Sequence, residues 1–270
     1  WIRRKTDPEC PRRKAEAMKA KRKLFVVSDI HGHYTLMKQA LDEAGFDKNN
    51  EEHIFICCGD LFDRGTENRK VYDYIRRLPR KILICGNHDE RLAEIIASKE
   101  VALVDYRNGK APTLAEFFGP NVVDDQGRLC LPKYGKMAGI LKRFIGAMLD
   151  YYETEHYVFT HGWLPLVEGS NVSYIREDWR SASPLDWRRA RWLQWQYLYK
   201  TPAMLPGKTI VCGHRMCSYG WHFDPRREET DSRIFYGDGM IAIDACTVRS
   251  GRVNVLVLEE QIELDDLSAT

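Results

Sequence analysis

Short apolar runs recur along this chain, and the same kind of polar residue waits at the end of most of them. Leu24-Phe25-Val26-Val27-Ser28, His53 to Cys58, Lys81 to Cys85, Tyr157 to Thr160, Thr209 to Cys212 and Met240 to Asp244 are four to six residues long. They are rich in Val, Ile, Phe and Cys, which predicts buried strands. Val253 to Leu258 predicts one more. Between the first three, Leu36, Ala40, Leu41 and Ala44, and then Tyr72, Ile75 and Leu78, repeat at helical spacing, with Gly45 ending the first pattern. Strands alternating with helices predict βαβ crossovers, a substantially parallel sheet, and a site beyond the strands' carboxyl ends. Residues 91–155 read as mainly helical and without evident chemistry. Met137, Ile140, Leu141, Phe144, Ile145, Met148, Leu149 and Tyr152 form one core-facing stripe there.

The polar residues at the exits are metal-type ligands. Asp29 and His31 follow the first run; on an extended chain, positions two apart share a face, so both can meet one ion. The second run delivers Gly59-Asp60-Leu61-Phe62-Asp63-Arg64-Gly65, and the third Gly86-Asn87-His88-Asp89. His161 and His214 follow later runs. Carboxylates this crowded repel unless a cation lies among them. Asp29, His31, Asp60, Asn87, His161 and His214 are therefore the candidate ligands. Mixed nitrogen and oxygen donors suit Mn²⁺, Fe²⁺ or Zn²⁺, Mn²⁺ foremost, better than Ca²⁺. Six protein ligands are too many for one catalytic ion that keeps water, so two ions sharing a carboxylate are expected. Arg64 is a fork-shaped donor suited to phosphate oxygens.

In order, Asp-x-His, Gly-Asp-x-x-Asp-Arg-Gly, Gly-Asn-His-Asp, His-Gly and Gly-His resemble the calcineurin-like metallophosphoesterases, in particular the phosphoprotein phosphatase branch and its bacterial serine/threonine phosphatases. The likeness spans about residues 24–258. It implies an α/β fold, a β-sandwich of mixed rather than fully parallel sheets flanked by helices. It assigns Asp29, His31 and Asp60 to one ion, and Asp60, Asn87, His161 and His214 to the other. It makes His88 the general acid, Asp63 its orienting partner, and a hydroxide bridging the ions the nucleophile. Arg64 becomes a phosphate clamp; Arg191 is the expected second clamp, with Arg189 and Arg215 as alternatives. The implied reaction is hydrolysis of phosphoserine, phosphothreonine or phosphotyrosine in a protein or peptide. Asp89 departs from the Glu common in that branch and also occurs in dinucleoside-tetraphosphate hydrolases, so symmetrical tetraphosphate hydrolysis, or action on another small phosphoester, is the alternative.

Composition changes little in this picture. At 44% apolar and 30% charged, 270 residues make one large globular domain. No run is long enough to span a membrane. Residues 1–23 hold ten Lys/Arg against three Asp/Glu, a basic arm, whereas the remainder holds 31 against 36. The arm is read as a solvated tail rather than a nucleic-acid grip, and residues 259–270 as a frayed acidic tail. A segment at about 164–206, dense in Trp and Arg, is read as a cap over the site, and charged residues 221–239 as a loop on its rim. Cys57, Cys58, Cys85 and Cys212 lie in strand-like runs, which suggests free thiols and a cytoplasmic setting. Cys58 and Arg64 have the spacing of a cysteine-dependent phosphatase loop, but Asp60 and Asp63 within it would repel phosphate and raise the thiol pKa. A phosphoprotein-binding adaptor with a structural metal centre would not need His88 or Asp63. Oligomeric state is not legible.

Overall fold

The computed structural model describes residues 20–130, 135–167 and 173–262. Among the described residues, nine strands form two mixed sheets. The first contains β1 (Ala20–Val27), β2 (His53–Cys57), β3 (Lys81–Leu83) and β9 (Leu256–Ile262), in the order β3-β2-β1-β9. The second contains β4 (Tyr151–Glu153), β5 (Tyr157–Thr160), β6 (Thr209–Cys212), β7 (Phe235–Gly237) and β8 (Met240–Ala242), in the order β4-β5-β6-β8-β7. β1, β2 and β3 run parallel, as do β5, β6 and β8; β9, β4 and β7 are antiparallel edges. The substantially parallel arrangement that periodicity predicts thus holds for β1 to β3 and for β5, β6 and β8, and is broken by one antiparallel edge in the first sheet and two in the second. Helices α1 (Tyr34–Glu43) and α2 (Asn68–Ile75) follow β1 and β2, and α3 (Asn87–Ser98) follows β3. α4 (Leu103–Arg107), α5 (Lys110–Phe118) and α6 (Gly135–Gly146) complete that side; α7 (Pro184–Ala190) belongs to the cap.

Strand alternation sorts the core into layers. Leu24 and Val26 face the second sheet and meet Ile56, Phe159, Val211 and Ile241 in the sandwich interior. Phe25 and Val27 point the other way, with Phe55 and Cys57, onto the helices. Both faces of these strands are buried, which explains why they read as unbroken apolar runs. Each fully buried Leu, Ile or Phe contributes about 1.5–3 kcal/mol. On the far face of the second sheet, Trp163, Trp179, Trp187 and Trp195 pack with Val158, Ile210 and Met240. Most of the Trp-rich segment is therefore a buried layer, and Trp192 alone of its tryptophans is largely exposed.

Three expectations shift. β1 begins at Ala20 and pairs with β9 through Ile262, so Lys21–Lys23 of the expected arm and Glu259–Ile262 of the expected tail are sheet. Lys21 pairs there with Glu259 at 2.5 Å. Residues 1–19 and 263–270 lie outside the described residues. The helical stripe stops at Gly146: Leu149 bridges Ile84 beside the first sheet, and Tyr152 is in β4. Arg227 is stapled to the carbonyls of Asp231, Arg233 and Ile234, and its part of the loop lines a groove against α1, while Trp221, His222, Glu229, Thr230 and Ser232 lie beside Met216, Cys246 and Arg249 of the site cleft. Cys57, Cys58, Cys85, Cys212 and Cys217 are buried free thiols. Among the described residues, no helix is long and apolar enough to cross a membrane.

Candidate metal centre

The parallel strands end in register, Val27 beside Cys57 and Cys57 beside Leu83, with Phe159 beside Val211 and Cys212 beside Ala242 in the other sheet. The loops leaving them therefore converge. Gly213 sits where the two sheets' loops touch; a Cβ there would collide with Ser28 Oγ and Asp29 Oδ2. The convergence of Asp29 and His31 does not come from an extended chain, as expected. Both residues adopt left-handed backbone (φ 51° and 48°), so the chain turns there. Asp60, Asp63, Arg64 and His214 also have positive φ. Such conformations generally cost about 1–3 kcal/mol each and gather at functional sites, where surrounding structure enforces them.

Asp60 and His31 approach at 3.7 Å, Asp29 and His31 at 3.9 Å, and Asp60 and His161 at 3.5 Å. Asn87 Oδ1 lies 2.8 Å from His161 Nε2 and 3.0 Å from His214 Nδ1. All six expected ligands are thus brought together, and Asp60 belongs to both candidate ion groups, with His31 and His88 on one side and with His161 and His214 on the other. Backbone bonds fix the ring tautomers. His31 Nδ1 donates to the Phe62 carbonyl at 3.0 Å, and His161 Nδ1 to that of Cys58 at 2.7 Å. Each Nε2 is left with its lone pair turned into the site, the usual second bond of a metal-ligating histidine.

The donor set fits divalent ions on four grounds. Burial pushes His31 and His214 down to about 3, which keeps both imidazoles neutral ligands. Asp29 is raised well above the carboxylate range by burial and then by Asp244 and Asp60, a crowding that a cation relieves. Asp60 is opposed by burial but held below the usual range by the imidazoles around it. Lastly, His161 Nε2 faces Asn87 Oδ1, acceptor against acceptor, at the separation that neighbouring ligands of one ion about 2.1 Å away would have. Asp29, His31 and Asp60 would hold one ion, and Asp60, Asn87, His161 and His214 a second.

His88 stands beside this group. Its Nδ1 donates to Asp63 Oδ2 at 2.7 Å, and its ring lies edge-on to His31. Arg64 donates from Nη1 to His31 Nε2 and from Nη2 to His88 Nε2, both at 3.0 Å. Asp89 is stitched inward: it accepts the amides of Asp60, Leu61 and Gly86, and burial, with Asp60 adding to it, raises its pKa to about 7. Arg64, His88, Asp29, His31, Asp60, Asn87 and His214 line one cleft of about 480 Å³, together with Trp192, Arg215, Asp244 and Arg249.

Arg191 is not among the residues lining that cleft. Its guanidinium is bonded to Glu90 at 2.9 Å and to Asp150, so it ties the end of α7 to the helix that carries Asn87 and His88. The arginines that line the cleft beside Arg64 are Arg215 and Arg249. Sequence reading notes Asp244, a buried carboxylate just past β8, as a metal-type residue but leaves it out of the ligand set, and it missed Lys110 and Thr113, which bond to Asp63. Cys58 is fully buried between the sheets, outside the cleft, and burial and then Asp29 raise its thiol pKa. A cysteine nucleophile at the Cys58–Arg64 spacing is therefore excluded.

A profile of the calcineurin-like phosphoesterase family matches residues 22–229. Two curated relatives are symmetrical bis(5'-nucleosyl)-tetraphosphatases. The one from Hamiltonella defensa subsp. Acyrthosiphon pisum is 35% identical over 74 residues, and that from Buchnera aphidicola subsp. Schizaphis graminum 36% over 73. Each match covers 27% of this chain and 26% of the relative, so the chain spans about a quarter of the length of these relatives. The crystal structure of a cold-active protein-tyrosine phosphatase from a psychrophilic Shewanella species superposes with a TM-score of 0.55 at 15% identity. It covers 88% of this chain and 75% of that one, a likeness of fold. With the mixed two-sheet fold and the gathered His/Asp groups, the family match is decisive: the chain belongs to the calcineurin-like phosphoesterase family.

Proposed function

We propose that this chain hydrolyses phosphate monoesters of alcohols, foremost phosphoserine and phosphothreonine in proteins or peptides, and that phosphotyrosine is a further substrate. The observation that carries the reading is the His88–Asp63 pair at the edge of the cleft. An alkoxide is a strongly basic leaving group and needs a proton as it departs; the phosphate end of a nucleotide, released from an anhydride, does not. An oriented imidazole is thus of most value against an alkyl phosphate.

Two divalent ions held by the ligands above would act as Lewis acids on the phosphoryl oxygens and make an attacking water acidic near neutral pH. The chain's own groups do the rest. Arg64, at present bonded to two ring nitrogens, finds stronger acceptors in the oxygens of a bound phosphate and turns to them. That frees His88 Nε2. Once free, Nε2 takes up a proton from solvent. A water oxygen bonds to phosphorus, losing its own proton to solvent, and as the ester P–O bond breaks the Nε2–H proton passes to the departing oxygen. Asp63 holds Nδ1–H and so fixes which nitrogen faces the leaving group. Arg215 is the second phosphate contact, in place of Arg191. Arg64→Ala and Arg215→Ala are each expected to raise the inhibition constant of inorganic phosphate about tenfold or more. Arg64→Lys should restore only part, since an ammonium cannot make the paired contact. Arg191→Ala should leave that constant within about twofold and instead lower the melting midpoint by about 2–6 °C. Normal phosphate inhibition in Arg215→Ala would remove that residue from the site.

A second reading, symmetrical dinucleoside-tetraphosphate hydrolysis, is favoured by the activity named for the two curated relatives. Trp192, 55% exposed at the cleft and edge-on to His214, could stack a base. Both readings are tested by one panel in Mn²⁺: phosphoserine, phosphothreonine and phosphotyrosine peptides, diadenosine tetraphosphate, and bis-p-nitrophenyl phosphate. The highest kcat/KM is expected on phosphoserine or phosphothreonine peptide. Preference for diadenosine tetraphosphate, with ADP as product, would select the second reading, and preference for the diester would overturn both.

A further inference from the structure

Asp63 accepts three side-chain hydrogen bonds at its carboxylate, and two of the donors come from a segment without metal-type residues. Its side chain is fully buried. Oδ2 accepts His88 Nδ1 and the Lys110 ammonium; Oδ1 accepts Thr113 Oγ1 at 2.9 Å. Its backbone N–H donates to Asn68 Oδ1 at 2.8 Å. Lys110 is itself only 1% exposed and also donates to the His88 carbonyl at 2.6 Å. A lysine rarely gives up water this completely without a partner that needs it. Here the partner is the carboxylate behind the proposed acid.

The backbone enforces the same contact. α5 begins at Lys110 directly after Gly109, whose φ is +80° and whose missing side chain lets the turn press on Asp63-Arg64. A Cβ at Gly109 would collide with Arg64 N. Lys110 and Thr113 lie one turn apart on the buried stripe of α5, which continues through Leu114 and Phe117 into the core. The two donors are thus carried by a packed helix, not by a free side chain.

We infer that Lys110 is a positioning residue for the reaction: from the start of α5, with Thr113, it holds the Asp63 carboxylate and the first turn of α3 so that His88 presents Nε2 to the leaving group. Three donors leave Asp63 one rotamer. Without Lys110 the carboxylate loses its one Lys or Arg partner among the described residues and one of two contacts that stop it from turning away from His88. This rests on His88 being the general acid, and the test separates the two ideas.

The test compares Lys110→Met, which keeps the length of the side chain without its charge, on an alkyl phosphate and on p-nitrophenyl phosphate. The same change is made in a His88→Ala background. Metal content is followed by elemental analysis and folding by melting temperature. In the otherwise unchanged chain, Lys110→Met should lower kcat about 10- to 100-fold on the alkyl phosphate and less than about threefold on p-nitrophenyl phosphate, with KM little changed. In the His88→Ala background it should cost nothing further on either substrate, because its effect runs through His88. Lys110→Arg should recover part of the loss. If Lys110→Met does not fold, Lys110→Gln, which keeps a donor near the carboxylate without the charge, is read instead, and the same leaving-group bias, absent in the His88→Ala background, is expected of it. Equal losses on the two substrates, or an undiminished loss in His88→Ala, would reduce Lys110 to a structural lysine. A His88→Ala variant that itself shows no leaving-group bias would overturn the acid assignment instead, whatever Lys110 does.

Discussion

Asp60→Asn is expected to lower kcat/KM on any phosphoester by at least about a thousandfold, equivalent to about 4 kcal/mol of transition-state stabilisation. Asp60 is the one side chain common to both ligand groups, within 3.7 Å of His31 and 3.5 Å of His161. An amide in its place keeps the volume but removes the negative charge shared by two cations, so both sites weaken together. Its Oδ1 also accepts the His88 amide at 2.9 Å, so an amide turned the wrong way would disturb the proposed acid as well. The measurement is steady-state kinetics beside metal content by elemental analysis. Less than one equivalent of tightly held ion, with activity near the limit of detection, is expected. An Asp60→Asn variant of near-normal activity with two ions bound would contradict the shared-ligand arrangement.

His88→Ala should separate substrates by leaving group. On an alkyl phosphate the loss is expected to be about 10²- to 10⁴-fold, the usual range for removal of a general acid. On p-nitrophenyl phosphate, whose leaving group departs unaided, it should be within about tenfold. Asp63→Asn should show the same bias at smaller size, because it disturbs the ring's orientation rather than removing the ring. The comparison requires that both ions remain bound. Equal losses on the two substrates would mean that His88 orients phosphate or water, and the proton donor would have to be sought among the other groups of the cleft.

Much of the candidate site was legible because its proposed ligands stand at the ends of apolar runs. A strand buried on both faces announces itself in composition, and Asp29, Asp60, Asn87, His161 and His214 each come directly or nearly directly after one. What periodicity could not say is which strands share a sheet. β1 and β5 look alike locally, and the two-sheet arrangement was expected only through the family likeness. The turns at Asp29 and His31 were illegible for a related reason: nothing in Asp-x-His distinguishes an extended chain from a left-handed one. Lys110 and Thr113 could have been found. They occupy positions of the apolar stripe that continues through Leu114 and Phe117, and a lysine on a buried stripe asks for a carboxylate. Arg191 could not have been placed from sequence. Its partners Glu90 and Asp150 lie 101 and 41 residues away, and only the packing of the cap against α3 brings them to it.

The claim that unites these expectations is that two divalent ions, sharing Asp60, are required for phosphoester hydrolysis. It is tested most directly by removing all metal with a strong chelator, then titrating Mn²⁺ back while activity and bound metal are measured on the same samples. The account predicts negligible activity in the stripped protein and recovery that levels off at two equivalents of Mn²⁺ per chain. Full activity in the stripped protein, or full recovery at one equivalent, would contradict it.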